Sequence, residues 1–256
     1  MAHAMIAEPV VHVLPDPEAL ARAAAGRILG AVRERLAAQA RKGKTDPVAH
    51  VALSGGTTPR EAFALLSRPP YVDIFPWEDV HFWQVDERWV LPDHPASNRR
   101  MLLETLLSRV PVPARNLHFI DTTLASPAEG AREYEASMRK ALAAPKGGFP
   151  RFDLVHLGLG ADGHTASLFP GSPALDELRA WATTSEGGDP AVARVTLTLP
   201  VLNNAAHVLF FVAGADRAEA LEQAIAGETI PGGLVVPPEG TLTFLADAAA
   251  AGETAP

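Results

Sequence analysis

The sequence predicts a single α/β domain with three layers, in which helices cover both faces of a mainly parallel, Rossmann-like sheet. Short apolar segments alternate with helical patterns of ten or more residues, which is typical of βαβ units. The composition is that of a globular protein, with 256 residues of which 47% are hydrophobic and 20% charged. We therefore expect one domain over residues 1–256, with its core between residues 10 and 247.

Four apolar segments are predicted as buried strands, and each runs into a loop rich in polar residues or glycine. They are residues 48–53, 80–85, 153–159 and 207–212. Apolar periodicity and capping signals predict helices at residues 16–42, 97–110, 126–144 and 217–226. Because ligands bind at the carboxyl ends of strands in open parallel sheets, these loops predict the position of a binding site.

The charge and the residue types exclude several classes of function. The net charge is −8, so we expect no nucleic-acid partner, and an anionic ligand needs a local positive site. The absence of cysteine excludes disulfides, thiolate nucleophiles and cysteine metal sites. No apolar run approaches the ~20 residues that span a bilayer, and the first 20 residues lack a secretion-signal pattern. We expect no membrane partner and a cytoplasmic location.

The first candidate site is the loop Ser54-Gly55-Gly56-Thr57, which follows the first predicted strand. Its two glycines allow a tight turn and a close approach of the backbone to a ligand. Thr58 is expected to cap the next helix, whose free N–H groups would then bind a phosphate or a carboxylate. An ordinary turn between a strand and a helix explains the same residues equally well.

Two further candidates follow the second and third predicted strands. Asp86 and Arg88 could line a site, although on their own they are better explained as a surface ion pair. Asp162 and His164 lie on a glycine-rich loop, where the carboxylate could orient the imidazole as a general base for water. The alternative is a capping aspartate beside an exposed histidine. The nine histidines show no zinc-type spacing, so we expect no metal.

The remaining candidates are cations and strand histidines. Arg194 precedes a strand-like segment and Arg217 follows a strand, so each could bind a phosphate bidentately or simply be solvated. His50, His81 and His156 lie inside apolar strands and are expected to be core or sheet-face residues rather than ligands.

Six segments carry a common resemblance: ALSGGTTPR (52–60), VDERWV (85–90), SNRRMLLETLL (97–107), HLGLGADGHTASLFPG (156–171), RVTLTLPVLNNA (194–205) and GADRAEALEQ (214–223). Together they resemble the 6-phosphogluconolactonases, which share a larger group with the glucosamine-6-phosphate deaminases. The resemblance runs over residues 10–247, and GLGADGHTASLFPG is its most specific motif.

The resemblance implies hydrolysis of 6-phospho-D-glucono-1,5-lactone to 6-phosphogluconate, in the oxidative pentose phosphate pathway, without a metal or an organic cofactor. It implies that His164 is the base, that Asp162 is its companion, and that Asp86 and Arg88 line the sugar. The residues implied at the phosphate end are Ser54, Gly55, Gly56, Thr57, Ser172, Arg194 and Arg217. Position 217 is often lysine in the family, and we read arginine there as a change of geometry.

Two alternatives stay open beside the lactonase. The deaminases carry a glutamate in the stretch where this chain has Leu168-Phe169-Pro170, and phenylalanine cannot supply the acid–base group that their reaction needs. A non-catalytic sugar-phosphate sensor would carry a helix-turn-helix segment, whereas residues 1–47 offer one amphipathic helix. Such sensors also tend to lose the catalytic histidine. We expect a monomer or a weak homo-oligomer.

Overall fold

The computed structural model describes residues 8–188 and 191–253, which form one α/β domain. The described strands are β1 (Val10–Leu14), β2 (Ala49–Leu53), β3 (Val80–Gln84), β4 (Asp86–Arg88), β5 (Leu117–His118), β6 (Leu154–Gly158), β7 (Ala182–Gly187), β8 (Val192–Leu197), β9 (His207–Val212) and β10 (Thr241–Asp247). The described α-helices are α1 (Pro17–Arg41), α2 (Arg60–Leu66), α3 (Tyr71–Ile74), α4 (Asn98–Leu102), α5 (Pro127–Ala141), α6 (Leu199–Asn203) and α7 (Ala218–Ile225). The predicted ends of the domain, residues 1 and 256, lie outside the described residues.

The main sheet is parallel throughout, with the described strands in the order β1-β10-β9-β6-β2-β3-β5. The four predicted strands correspond to β2, β3, β6 and β9. Successive residues of β2 face opposite sides, so Val51 packs in the cluster that contains α1, while Ala52 packs in the cluster that contains α5. Both faces of the sheet are thus buried, which confirms the predicted three-layer α/β/α architecture.

A second, antiparallel sheet of strands β4, β8 and β7 was not predicted. Asp86–Arg88 is a strand of this sheet rather than a loop, because Asp86 pairs with Thr196 and Arg88 with Arg194. The sheet packs against α5 on the same side of the main sheet. It therefore brings Arg194 beside Arg88.

The helix starts agree with the capping signal at Ser126 and contradict the one at Thr58. Asp16 and Ser126 cap α1 and α5, accepting hydrogen bonds from Ala19 N at 2.7 Å and Glu129 N at 3.2 Å. Thr58 does not cap α2, so that prediction was wrong. A turn from Thr57 to Arg60 precedes the helix, and Pro59 takes the cap position without a side-chain hydrogen bond. The predicted helix 97–110 is α4 followed by a π-helical turn over Leu103–Leu107.

None of the described helices has both the length and the apolar character needed to cross a membrane.

Histidines pack together within the main sheet near the amino-terminal ends of β2 and β3. His50 and His81 are register partners, and His81 Nδ1 lies 2.9 Å from His118 Nε2. Trp83 stacks on His118 with 3.7 Å between ring centroids and donates a hydrogen bond to His50 Nδ1 at 3.2 Å. Burial lowers the pKa of His50 to about 3 and the pKa of His118 to about 4. His50 and His156 are buried and His81 is half-buried within β3, so all three lie in the core or on a sheet face, as predicted.

Acid should destabilise the fold through His50. The unfolded chain binds a proton at this side chain near pH 6.5, whereas the folded chain binds it only near pH 3, so below pH 6.5 protons favour the unfolded state. We expect the urea midpoint to fall more steeply between about pH 7 and 5 in the wild type than in His50→Gln. The control His94→Gln, at an exposed histidine, should keep the wild-type slope. Equal slopes for the wild type and His50→Gln would contradict this expectation.

Candidate active site

A cavity of about 170 Å³ opens at the carboxyl ends of β2, β4 and β6. Its lining is formed by Ser54, Gly55, Gly56, Thr57, Thr58, Pro59, Asp86, Arg88, Asn98, Gly158, Leu159, Gly160, His164, Ala166, Arg194 and Arg217. This set contains every predicted site residue except Asp162 and Ser172. The loops that follow β2, β6 and β9 of the parallel sheet therefore meet β4 and β8 of the second sheet at one cavity.

His164 and Asp162 form a close pair at the cavity wall. His164 Nδ1 lies 2.5 Å from Asp162 Oδ1, and the backbone N–H of His164 donates to the same oxygen at 3.1 Å. Partial burial raises the pKa of Asp162, but the hydrogen bonds from His164 outweigh it and hold that pKa below its usual value. Asp162 is thus held as a carboxylate that fixes Nδ1. Nε2 remains the ring atom available to accept a proton.

Two glycines permit the close packing of the site. A Cβ atom on Gly160 would lie 2.1 Å from His164 Nδ1 and 2.6 Å from Asp162 Oδ1. A Cβ atom on Gly55 would lie 1.9 Å from Asn98 Oδ1. Any larger residue at either position would displace the polar side chain that it faces.

Asp86 is a buried carboxylate with short hydrogen bonds, so the surface ion-pair interpretation was wrong. Its side chain is 4% exposed. Oδ2 accepts a hydrogen bond from Ser167 Oγ at 2.6 Å, and Oδ1 accepts one from Asn98 Nδ2 at 3.2 Å. Arg88 donates from Nη1 to Ala96 O at 2.9 Å, and its buried Nε has no hydrogen-bond partner among the described residues.

The two other arginines of the cavity are held by backbone carbonyl groups. Arg194 Nε donates to Gly187 O at 3.1 Å, and burial lowers the pKa of this guanidinium. Arg217 Nε donates to Leu159 O at 3.1 Å, and its Nη1 donates to Ala213 O at 2.8 Å. The described lining thus carries three guanidinium groups and one carboxylate, a locally positive site on a chain of net charge −8.

The glycine loop is anchored by a buried histidine. The backbone N–H of Ser54 donates to His156 Nδ1 at 3.3 Å, and burial lowers the pKa of His156 to about 3. His156 is therefore neutral and can accept this bond. Ser54 Oγ is itself buried, lines the cavity and has no hydrogen-bond partner among the described residues. A ligand in the cavity would supply that partner.

Ser172 is the one predicted phosphate-end residue that lies elsewhere. Its Oγ accepts a hydrogen bond from Ala174 N at 3.3 Å and lies 3.4 Å from Ser185 Oγ. It lines a separate cavity of about 690 Å³, which is bounded by the start of α5 and by β7. The structure does not bring Ser172 together with the glycine loop and the arginines.

Sequence reasoning missed Glu87 and Asn98. Glu87 is 1% exposed, and its carboxylate accepts hydrogen bonds from five groups of the described residues. The donors are Gln84 Nε2 (2.8 Å), Arg88 N (2.8 Å), Ser97 Oγ (3.1 Å), Asn98 N (2.7 Å) and Arg99 N (2.7 Å). Burial raises the pKa of Glu87, and the backbone donors of Arg99 and Asn98 oppose that rise.

A signal for Glu87 was present in the sequence. Side chains alternate along a strand, so if Asp86 and Arg88 face the cavity, the intervening Glu87 faces the interior. A buried carboxylate needs several donors, and the first turn of a helix supplies unpaired N–H groups. The start of α4 at Asn98 is such a turn.

No group of three or more histidine and acidic side chains within residues 8–188 and 191–253 is arranged to hold a metal ion. The described cavity residues supply an imidazole, a carboxylate, guanidinium groups and backbone N–H donors.

Replacing Glu87 by glutamine should destabilise the protein strongly. A glutamine offers one oxygen and one NH2 group, so in either orientation at least two of the five donors lose their acceptor. Leaving such groups unpaired costs about 2–4 kcal/mol. We expect a urea midpoint well below that of the wild type for Glu87→Gln. The control Glu104→Gln, at an exposed pair with Arg100, should leave the midpoint nearly unchanged. Equal midpoints for the two variants would show that Glu87 has no anchoring role.

Comparison with known proteins identifies the family. Residues 15–244 match the model of the glucosamine-6-phosphate isomerases/6-phosphogluconolactonases. The 6-phosphogluconolactonase of Nostoc sp. is 37% identical over 95% of this chain and 97% of its own, and that of Synechocystis sp. is 41% identical over 77% and 81%. The crystal structure of 6-phosphogluconolactonase from Thermotoga maritima superimposes with a TM-score of 0.77 at 30% identity, over 93% of this chain and all of its own. The chain belongs to the glucosamine-6-phosphate isomerase/6-phosphogluconolactonase family.

Proposed function

We propose that this chain hydrolyses 6-phospho-D-glucono-1,5-lactone to 6-phospho-D-gluconate in the oxidative pentose phosphate pathway. The observation that carries the proposal is the His164–Asp162 pair, which adjoins a cavity lined by Arg88, Arg194 and Arg217. A base that activates water and cations that hold a phosphate are the two parts that this reaction needs. The relatives named 6-phosphogluconolactonase support the same substrate.

His164 acts first as a general base and then as a general acid. Nε2 takes a proton from water while the water oxygen attacks C1 of the lactone, and Asp162 stabilises the imidazolium that forms. The tetrahedral intermediate collapses, the bond between C1 and the ring oxygen breaks, and His164 returns the proton to that oxygen. A lactone is reactive enough that no covalent nucleophile is required.

The negative charge that develops on the C1 oxygen needs donors within the cavity. Arg88 and the glycine-rich loop 158–164 line the same cavity as His164, so the Arg88 guanidinium or a backbone N–H of that loop is the proposed donor. Asp86 lines this cavity as an acceptor for sugar hydroxyl groups, oriented by Ser167 and Asn98.

The phosphate occupies the end of the cavity formed by Arg194, Arg217 and the loop from Ser54 to Thr57. Guanidinium groups bind phosphate through paired, charge-assisted hydrogen bonds. Backbone carbonyl groups already accept hydrogen bonds from both arginines, so these side chains lose little conformational freedom when a phosphate binds. Binding at this end places C1 near His164 and contributes by positioning.

The deaminase alternative lacks a reacting group in the observed site. In the stretch 168–170, where the deaminases carry a glutamate, this chain has Phe169, which is 7% exposed and packs against His164. Ring opening and proton transfer between C1 and C2 need an acid–base group that this side chain does not have.

The proposal also covers the partner, the location and the oligomeric state of the protein. We expect a small sugar phosphate as its partner, a cytoplasmic location, and a monomer or a weak homo-oligomer. The net charge of −8 supports the absence of a nucleic-acid partner, because a polyanion would be repelled outside the local positive site.

Lactone generated in situ from glucose 6-phosphate tests the proposed function. We expect the wild type to accelerate lactone loss in the presence of EDTA and to release no ammonia from glucosamine 6-phosphate. His164→Ala should lower kcat by roughly 10²- to 10⁴-fold, the usual contribution of general base catalysis. The control His94→Ala removes an exposed histidine and should keep the wild-type rate.

Three outcomes would contradict this account. Wild-type turnover in His164→Ala would show that His164 is not the general base. Ammonia release from the amino sugar would favour the deaminase. If neither substrate reacted while the phosphosugar raised the melting temperature, the protein would be a sensor rather than an enzyme.

Loss of a phosphate cation should have a different kinetic signature. Removing a charged hydrogen-bonding group costs roughly 1.5–3 kcal/mol, so Arg194→Ala and Arg217→Ala should each raise KM by roughly 10- to 100-fold. Part of the loss should appear in kcat where positioning depends on the phosphate. Arg22→Ala, at an exposed helical pair with Glu18, is the control. An unchanged KM in both cavity variants would show that these arginines do not bind the phosphate.

A further inference from the structure

We propose that Phe169 is a positioning residue that holds both the histidine base and a phosphate-binding arginine. Its ring centroid lies 4.8 Å from that of His164 and 5.1 Å from Arg194 Cζ. One buried ring thus contacts the group assigned to the chemistry and a group assigned to binding. The inference rests on the proposed function and extends it to a residue without a reactive group.

The chain turns back on itself to bring this ring to the imidazole. Thr165 and Leu168 exchange backbone hydrogen bonds of 3.3 and 2.9 Å, and Ala166 has a φ of +52°. That positive φ lies in the left-handed region, which is uncommon for a residue other than glycine. The tight turn makes His164 and Phe169 neighbours although five positions separate them, so the ring limits the rotation of the imidazole.

The end of β7 and the residue after it pack against Phe169 and Arg194. A Cβ atom on Gly187 would lie 2.5 Å from Phe169 Cδ2, and a Cβ atom on Gly188 would lie 2.4 Å from Arg194 Nη2. The carbonyl of Gly187 also accepts the hydrogen bond from Arg194 Nε. Backbone thus packs closely on both the ring and the guanidinium, and the ring of Phe169 links Arg194 to His164.

The physical consequence is a coupling of base and cation through one ring. An aromatic ring attracts a guanidinium by its quadrupole and restricts a neighbouring imidazole by contact. Leucine at position 169 would keep the site apolar but would lose the ring. Both KM, through Arg194, and kcat, through His164, should then change.

The test compares Phe169→Leu with Phe119→Leu. Phe119 is a matched control, because Arg99 Cζ lies 5.0 Å from its ring and neither residue lines the cavity. We expect Phe169→Leu to raise KM by roughly 3- to 30-fold, the range of a cation–π contact. We also expect kcat to fall by roughly 10- to 100-fold, because the base is less well placed. Phe119→Leu should change neither constant.

A proton NMR spectrum gives a readout that does not depend on turnover. The ring current of Phe169 acts on the imidazole protons of His164, whose signals are assigned by their loss in His164→Gln. These signals should shift in Phe169→Leu and stay in place in Phe119→Leu. Gly187→Ala, whose Cβ would press on the ring, should shift them as well and provides a second variant if Phe169→Leu does not fold.

The outcomes separate this inference from the proposed function. If the wild type hydrolyses the lactone but Phe169→Leu lowers kcat alone, with KM and the His164 signals unchanged, the residue is merely structural and the inference is overturned. If the wild type does not hydrolyse the lactone, the proposed function fails. The inference is then decided by the His164 signals and by the affinity for inorganic phosphate, which Phe169→Leu should weaken.

Discussion

The buried carboxylate of Glu87 is the constraint on which the arrangement of the site depends. It accepts hydrogen bonds from the end of β3, from β4 and from the first turn of α4, and so ties three segments together in the interior. Asn98, held in that turn, donates a hydrogen bond to Asp86 Oδ1. Asp86 Oδ2 accepts another from Ser167, three residues after His164. The desolvated charge of Glu87 thus fixes β4 against the end of β3 and the start of α4, and the preceding residue, Asp86, links this unit to Ser167, 81 positions away in the sequence. Such a charge is tolerated in the interior only because every donor is in place.

The second constraint is electrostatic. A chain of net charge −8 repels an anion at long range, so affinity for a sugar phosphate has to arise within the cavity. Carbonyl oxygens orient Arg194 and Arg217, and neither forms an ion pair with a buried carboxylate among the described residues. Arg217 Nη1 pairs at 2.9 Å with Asp216, which is exposed to solvent. The charge of both arginines therefore remains available to a ligand. The same arrangement leaves His164 with Asp162 as its immediate carboxylate partner.

Periodicity and loop composition predicted the parallel sheet, its three layers and most of the cavity lining. The antiparallel sheet of β4, β7 and β8 was missed, although the segment after Arg194 was recognised as strand-like, because β4 and β7 are polar and the pairing of β4 with β8 joins segments more than 100 residues apart. Glu87 was missed because its role depends on a helix that begins eleven residues later in the chain. Thr58 was misjudged because a cap depends on where the first helical turn closes, and here Pro59 shifts that point. Local signals predict elements, whereas contacts between distant segments decide which side chain serves the site.

The central claim is that a histidine-activated water attacks C1 of the lactone directly. A single turnover in H2¹⁸O, with enzyme in excess over lactone, tests it most directly by mass spectrometry of the 6-phosphogluconate formed. The account predicts ¹⁸O in the carboxylate and unlabelled oxygen at the C5 hydroxyl. An unlabelled carboxylate in that first turnover would mean that an enzyme carboxylate such as Asp86 attacks first. Label at the C5 hydroxyl would mean that the bond between C5 and the ring oxygen is cleaved instead. Either result would contradict the mechanism.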